Sequence, residues 1–190
     1  MFEGDSLTAI VDAAPYTGMV QAQYDTAAPY VWSNIATSGH TLADMLAEQS
    51  VQLANRIRTR RGILILWGGT NDIALVPNTS PSTTYARLQQ YAANARALGF
   101  DKIVVLTCLP RAAGGNQNFE TDRAAYNALI RTNALTDGTA DAIADIAADS
   151  RIGDTGDNLD TTYYPDQIHL NVAGRQVVVP IVKAAIDSIL

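Results

Sequence analysis

Two apolar runs, Gly62–Trp67 (GILILW) and Lys102–Leu109 (KIVVLTCL), carry no alternation of polar and apolar residues. A strand with one wet face alternates; one that does not needs cover on both faces, as in a parallel sheet between helical layers. Helical patterns lie between and around these runs. Leu42, Met45, Leu46, Leu53 and Ile57 recur at helical spacing after Thr41, a capping residue. Tyr85, Leu88, Ala92, Ala95 and Leu98 make a second stripe that Gly99 ends, and Tyr126, Leu129 and Ile130 mark a third helix. Val172–Leu190 reads as a last helix, in which Pro180 is expected to introduce a kink or reset the start. Tyr30–Ile35 and Ala142–Ile146 are weaker strands.

Strand and helix in alternation mean βαβ units with right-handed crossovers. The expected fold is α/β, a three-layer α/β/α sandwich with a mostly parallel, flavodoxin-like central sheet of about five strands. The 190 residues show no internal repeat, low-complexity tract or linker, so residues 1–190 read as a single domain. Its first strand must precede Gly4, which leaves only Met1, Phe2 and Glu3. Strands usually run to about five or six residues, so the expectation is a chain cut from a longer polypeptide.

Charge and composition exclude several functions. A formal net charge of -6 repels phosphate backbones, which argues against a nucleic-acid partner. No apolar run approaches the roughly 18–20 residues of a membrane span, and no signal peptide is visible. Compartment and oligomeric state stay open. Cys108, the single cysteine, lies in an apolar run and reads as a buried, inert thiol. The two histidines, His40 and His169, lack cysteines or carboxylates at ligand spacing, so neither a metal nor a cofactor is expected.

In a parallel α/β fold, reactive groups belong on loops at the carboxyl ends of the strands. Four segments fall there: Gly4-Asp5-Ser6-Leu7, Ser38-Gly39-His40, Gly68-Gly69-Thr70-Asn71-Asp72 and Asp166-Gln167-Ile168-His169. A serine hydroxyl is a poor nucleophile without a base in hydrogen-bond reach. His169 is the candidate base, with His40 the competitor, and Asp166 is placed to hold the imidazole in one tautomer. An oxyanion needs preorganised donors, and the Ser6 N–H, the Gly39 N–H and the Asn71 amide are the natural three. Each segment alone is also ordinary turn or cap chemistry. All four in order, each after its proper element, are hard to obtain by accident.

GDSL at 4–7, Gly39, GGTND at 68–72 and DQIHLN at 166–171 resemble the four signature blocks of the SGNH (GDSL-type) hydrolases. The resemblance runs from residue 4 to about 180, and Asn171 with Gly174 resembles the family's HLN-x-x-G start of the final helix. It implies a Ser6–His169–Asp166 triad, an oxyanion hole of Ser6, Gly39 and Asn71, and Asp5 as a structural partner of its motif. It also implies an ester hydrolase working through an acyl-enzyme on a small-molecule or saccharide ester. Acetylated sugars, short-chain acyl esters, lysophospholipids and acyl thioesters are all within the family's range. No inserted lid or long apolar loop is present, which favours an open site for small or soluble esters. The loops freest to set specificity are Ile73–Thr84, Arg111–Asp122 and Asp154–Pro165; their polar, glycine-rich character suits a sugar ester at least as well as a lipid. Tyr163 and Tyr164 either wall the pocket or sit exposed, whereas Trp67 reads as core. The competing function is a non-catalytic carbohydrate- or surface-binding module that retains the fold. Against it stands the full set of catalytic residue types. A nucleotide-binding reading lacks a glycine-rich phosphate loop before the first helix.

Overall fold

Leu64 and Leu66 bury themselves on one side of a sheet, while Ile65 and Trp67 do so on the other. This period of two, with apolar groups on both faces, is what a sheet covered by two helical layers demands. The computed structural model describes residues 1–10, 14–24, 30–54, 62–75 and 77–190. Its sheet contains β1 (Phe2–Gly4), β2 (Gly62–Trp67), β3 (Phe100–Leu106) and β4 (Ala142–Ala144), paired in that order and all parallel. Phe2 is opposite Ile65, Leu66 opposite Val105, and Val104 opposite Ala142.

The helices are α1 (Ser6–Ala9), α2 (Tyr16–Ala22), α3 (Leu42–Ala54), α4 (Thr70–Ala74), α5 (Pro81–Ala97), α6 (Phe119–Asn133) and α7 (Val172–Asp187). Residues of α1, α2 and α7 pack on the Ile65 face; those of α3 to α6 pack on the Leu64 face. The three-layer α/β/α expectation therefore holds. At the start of α3, Thr41 and Asp44 form a reciprocal cap: Asp44 N–H donates to Thr41 Oγ1 at 3.3 Å, and Thr41 N–H to Asp44 Oδ2 at 2.9 Å. The expected stripe on this helix extends to Ile57, which lies outside the described residues. α5 ends where Gly99 takes a left-handed φ of 102°. α7 runs across Pro180 without a break and stops at Asp187.

Among the described residues the sheet has four strands, where about five were expected. Tyr30–Ile35 contributes one parallel bridge, Asn34 to Phe2, on the outer side of β1. The cause is local. β1 offers only three residues to pair with, and Asn34 Oδ1 accepts from Ala36 N–H at 3.1 Å, a side-chain turn that competes with a ladder. Three backbone hydrogen bonds still tie the segment down: Phe2 N–H to the Ser33 carbonyl at 2.7 Å, and Ile35 N–H to the Phe2 carbonyl and Thr37 N–H to the Gly4 carbonyl, both at 3.0 Å. The other weak strand, expected over Ala142–Ile146, is confined to Ala142–Ala144 before a short 3-10 turn. Trp67 is core, as expected. Tyr164 is also fully buried, donating its hydroxyl to the Ile152 carbonyl at 2.6 Å, and so does not wall a pocket. Among the described residues no helix is long and apolar enough to cross a membrane.

Several ionisable side chains are buried, among them Glu3 of β1, which meets Tyr91 of α5. Glu3 is 2% exposed; its Oε1 accepts from Gly4 N–H, and its Oε2 accepts from the Tyr91 hydroxyl, both at 2.8 Å. Burial, partly offset by these bonds, pushes its carboxyl up to about 7. A carboxyl that binds its proton more tightly when folded stabilises the protein fully below its unfolded value near 4.5. That contribution is lost as pH rises through about 7. The loss is on the order of 3 kcal/mol, from the free energy per pKa unit. Glu3→Gln keeps an acceptor and a polar group in place but cannot ionise. Thermal melts at pH 5 and pH 8 should therefore show a smaller fall in stability for Glu3→Gln than for the unaltered chain. An equal fall would mean that Glu3 is not the group responsible.

Candidate active site

The segments 4–7 and 68–72 follow the ends of β1 and β2, 38–40 follows the segment bridged to β1, and 166–169 precedes α7, so the topology collects them on one rim. Asp5 caps α1: its Oδ1 accepts from Leu7 N–H at 2.9 Å, which sets the turn that presents Ser6. Asp5 is fully buried, and its Oδ2 has no hydrogen-bond partner among the described residues. Burial pushes this carboxyl up to about 6, against the pull of the Leu7 amide and of Arg111. The structural part expected for Asp5 matches this geometry.

Ser6 and His169 are 163 positions apart in the chain, yet Ser6 Oγ lies 2.9 Å from His169 Nε2. His169 Nδ1 lies 2.7 Å from Asp166 Oδ2. The second carboxylate oxygen of Asp166 accepts two successive amides, Ile168 N–H at 3.0 Å and His169 N–H at 2.7 Å. Burial raises the Asp166 carboxyl, but these amides and the His169 ring outweigh it and hold it below the usual value. The turn that permits this needs Gln167 at a φ of 65°, a left-handed conformation that costs a side-chain-bearing residue on the order of 1 kcal/mol. A neighbouring segment supports it, because Ala112 N–H donates to the Gln167 carbonyl at 2.8 Å. Beyond the turn, Asn171 caps α7 by accepting from Gly174 N–H at 3.1 Å. A Cβ at Gly174 would lie 2.7 Å from Leu170 Cδ2 and 3.1 Å from the Tyr163 carbonyl oxygen, so a side chain there would require the buried Leu170 to shift.

Gly39 occupies a tight turn closed by His40 N–H donating to the Thr37 carbonyl at 3.3 Å. Its φ of 83° suits the third position of a type II turn, and a Cβ there would meet nothing within 4 Å. The Thr37 bond to the Gly4 carbonyl fastens this turn beside the end of β1, and hence beside Ser6. The amides of Gly39 and Ser6 have no acceptor among the described residues.

Asn71 sits in the first turn of α4, after Gly69 at a φ of 108°. Any side chain at 69 would place its Cβ 2.7 Å from the ring of the buried Tyr126. Asn71 Nδ2 donates to the His40 carbonyl at 3.0 Å, and its Oδ1 accepts from Arg111 Nη1 at 2.9 Å. An amide nitrogen carries two hydrogens, so one stays free for a ligand. Asp72 locks the same turn to α3, accepting from Leu42 N–H at 2.7 Å and from Arg87 Nη1 at 2.8 Å. His40 points elsewhere: its Nε2 lies 3.7 Å from Glu48 Oε1, while its backbone carbonyl serves Asn71. Cys108 is buried and unpaired, and burial drives its thiol far above the ordinary range.

The structure thus joins Ser6, His169 and Asp166 in one hydrogen-bonded chain, with Gly39 and Asn71 on turns tied to the same strand ends. Sequence reasoning missed Arg111 as part of this arrangement, and it named the segments holding Asp72 and Gln167 without giving either residue a part. Arg111 stood only within a loop of expected variability, and nothing in glutamine at 167 signals a left-handed turn.

The model of the GDSL-like lipase/acylhydrolase family matches residues 2–177. No curated protein sequence matches the chain. Among solved structures, TesA superposes with a TM-score of 0.74 at 21% identity, covering 100% of this chain and 98% of its own. Axe2, an acetylxylan esterase from Geobacillus stearothermophilus, gives 0.71 at 18% identity, covering 97% and 92%. A GDSL-like lipase from Bacteroides thetaiotaomicron gives 0.77 at 18% identity, covering 100% and 87%. At these identities the likeness establishes a common fold.

Proposed function

The chain belongs to the GDSL-like lipase/acylhydrolase family, and on that footing we propose that it is a serine esterase hydrolysing carboxylic esters through an acyl-enzyme. The observation that carries this reading is the Ser6–His169–Asp166 chain of contacts at 2.9 and 2.7 Å. Ser6 Oγ attacks the ester carbonyl carbon as its proton passes to His169 Nε2. The imidazolium so formed faces the Asp166 carboxylate, which is held ionised by the amides around it. The carbonyl oxygen becomes an oxyanion and takes hydrogen bonds from the Ser6 and Gly39 amides and from Asn71 Nδ2. The bond to the alcohol oxygen then breaks, and His169 returns its proton to that oxygen. A water molecule, deprotonated by His169, attacks the acyl group, releases the acid and restores Ser6.

The substrates we favour are short-chain acyl or acetylated carbohydrate esters. The loop 154–165 offers exposed polar groups, Thr155, Asp160, Thr161 and Thr162 among them, beside one exposed leucine, Leu159. An acetylxylan esterase among the structural neighbours is in keeping with this preference. Turnover of p-nitrophenyl acetate, lost in Ser6→Ala, is the expected result; turnover that survives in Ser6→Ala would refute the proposal. Acetate release from acetylated saccharides should exceed hydrolysis of long-chain acyl esters, and the reverse order would overturn the substrate class.

A further inference from the structure

Resting on the esterase reading above, we propose that Arg111 is a positioning residue that fixes the orientation of the Asn71 amide and makes its free N–H a stronger donor to the oxyanion. A primary amide offers an oxygen and a nitrogen of nearly equal size, and a flip exchanges an acceptor for a donor. Asn71 presented with its oxygen toward a developing negative charge would repel it. Two contacts prevent the flip: the His40 carbonyl accepts only from the nitrogen side, and the Arg111 guanidinium donates only to the oxygen side. Of the two, Arg111 also brings charge. A cation 2.9 Å from Oδ1 draws electron density through the conjugated amide toward oxygen, which leaves the Nδ2 hydrogens more positive. The guanidinium can serve this purpose because its own position is supported. It is only partly exposed, it bonds to the Ala112 carbonyl at 3.3 Å, and the Asp5 and Asp166 carboxylates offset the cost of burying its charge.

Arg111 also adjoins Ala112, which holds the Gln167 turn, so a loss of activity alone would not identify its route of action. A double-mutant cycle with Asn71 does. In the otherwise unaltered enzyme, Arg111→Met should lower kcat for p-nitrophenyl acetate by about 10-fold or more with KM within about 2-fold, as for a group felt mainly in the transition state. In an Asn71→Ala background the same substitution should change kcat by less than about 3-fold, because the group it acts through is gone. Added guanidinium ion, at concentrations that leave the thermal melt unchanged, should restore part of the lost kcat in Arg111→Ala but not in Arg111→Ala/Asn71→Ala. An equal loss of kcat in the two backgrounds would overturn the proposal and assign Arg111 to the Asp166–His169 turn. A loss confined to KM would overturn it in favour of direct substrate binding. If Arg111→Met does not fold, Arg111→Gln enters the same cycle with the same two contrary outcomes. An unaltered chain inactive on esters would instead count against the esterase reading, so the two failures are told apart.

Discussion

His169→Ala is expected to lower kcat/KM for a carboxylic ester by about 10⁴-fold or more, the scale at which a triad loses its base. The substitution takes from Ser6 Oγ its contact at 2.9 Å and leaves a hydroxyl with no group to accept its proton. It should do so with little change in stability. The His169 side chain is 31% exposed, and the two amide bonds to Asp166 that shape the turn belong to the backbone. His40 cannot take over, since its ring faces Glu48. His40→Ala should accordingly keep turnover within a few-fold, given that only its backbone carbonyl serves the site. Steady-state rates of the two variants beside their melting temperatures check this. A His169→Ala enzyme within 10-fold of the unaltered chain would mean that the base has been misassigned.

Asn71→Ala should lower kcat by about 100-fold or more while KM moves little, the behaviour of a donor used mainly in the transition state. The fold should tolerate the change, because the turn is fastened through Asp72 to α3 and through the α4 backbone rather than through the Asn71 side chain. The His40 carbonyl and Arg111 would each lose one partner at the partly buried rim. Separate determination of kcat and KM decides between roles. A loss appearing only in KM would make Asn71 a substrate-binding group.

What could be read from the chain beforehand divides along physical lines. GILILW and KIVVLTCL were legible because burial on both faces leaves a local mark, an apolar run without alternation. The segment 30–35 (YVWSNI) read as a weaker strand because Ser33 and Asn34 interrupt its apolar residues, and its pairing also depended on the three-residue length of β1, which its own residues do not announce. Tyr164 followed the same rule, since the carbonyl that satisfies its hydroxyl, Ile152, is 12 residues away. Ser6, Asp166 and His169 were found from motifs and from family resemblance. No spacing argument connects groups 163 residues apart. Arg111 had no motif to reveal it. An arginine after a proline in a loop looks like a solvated charge until the Asn71 oxygen, 40 positions earlier, is placed against it. Glu3 is comparable: a carboxylate in a short first strand gives no hint that Tyr91 will reach it through the core.

The most direct test of the central claim is covalent trapping of the nucleophile. An organophosphonate reports on an activated serine whatever ester the enzyme prefers, because its phosphorus accepts a serine oxygen only when a base removes the proton. Mass spectrometry of the labelled chain should find one adduct per molecule, mapped to Ser6, with labelling abolished in His169→Ala and retained in His40→Ala. An adduct on another serine, or undiminished labelling in His169→Ala, would contradict the assignment of Ser6, His169 and Asp166 as the catalytic triad.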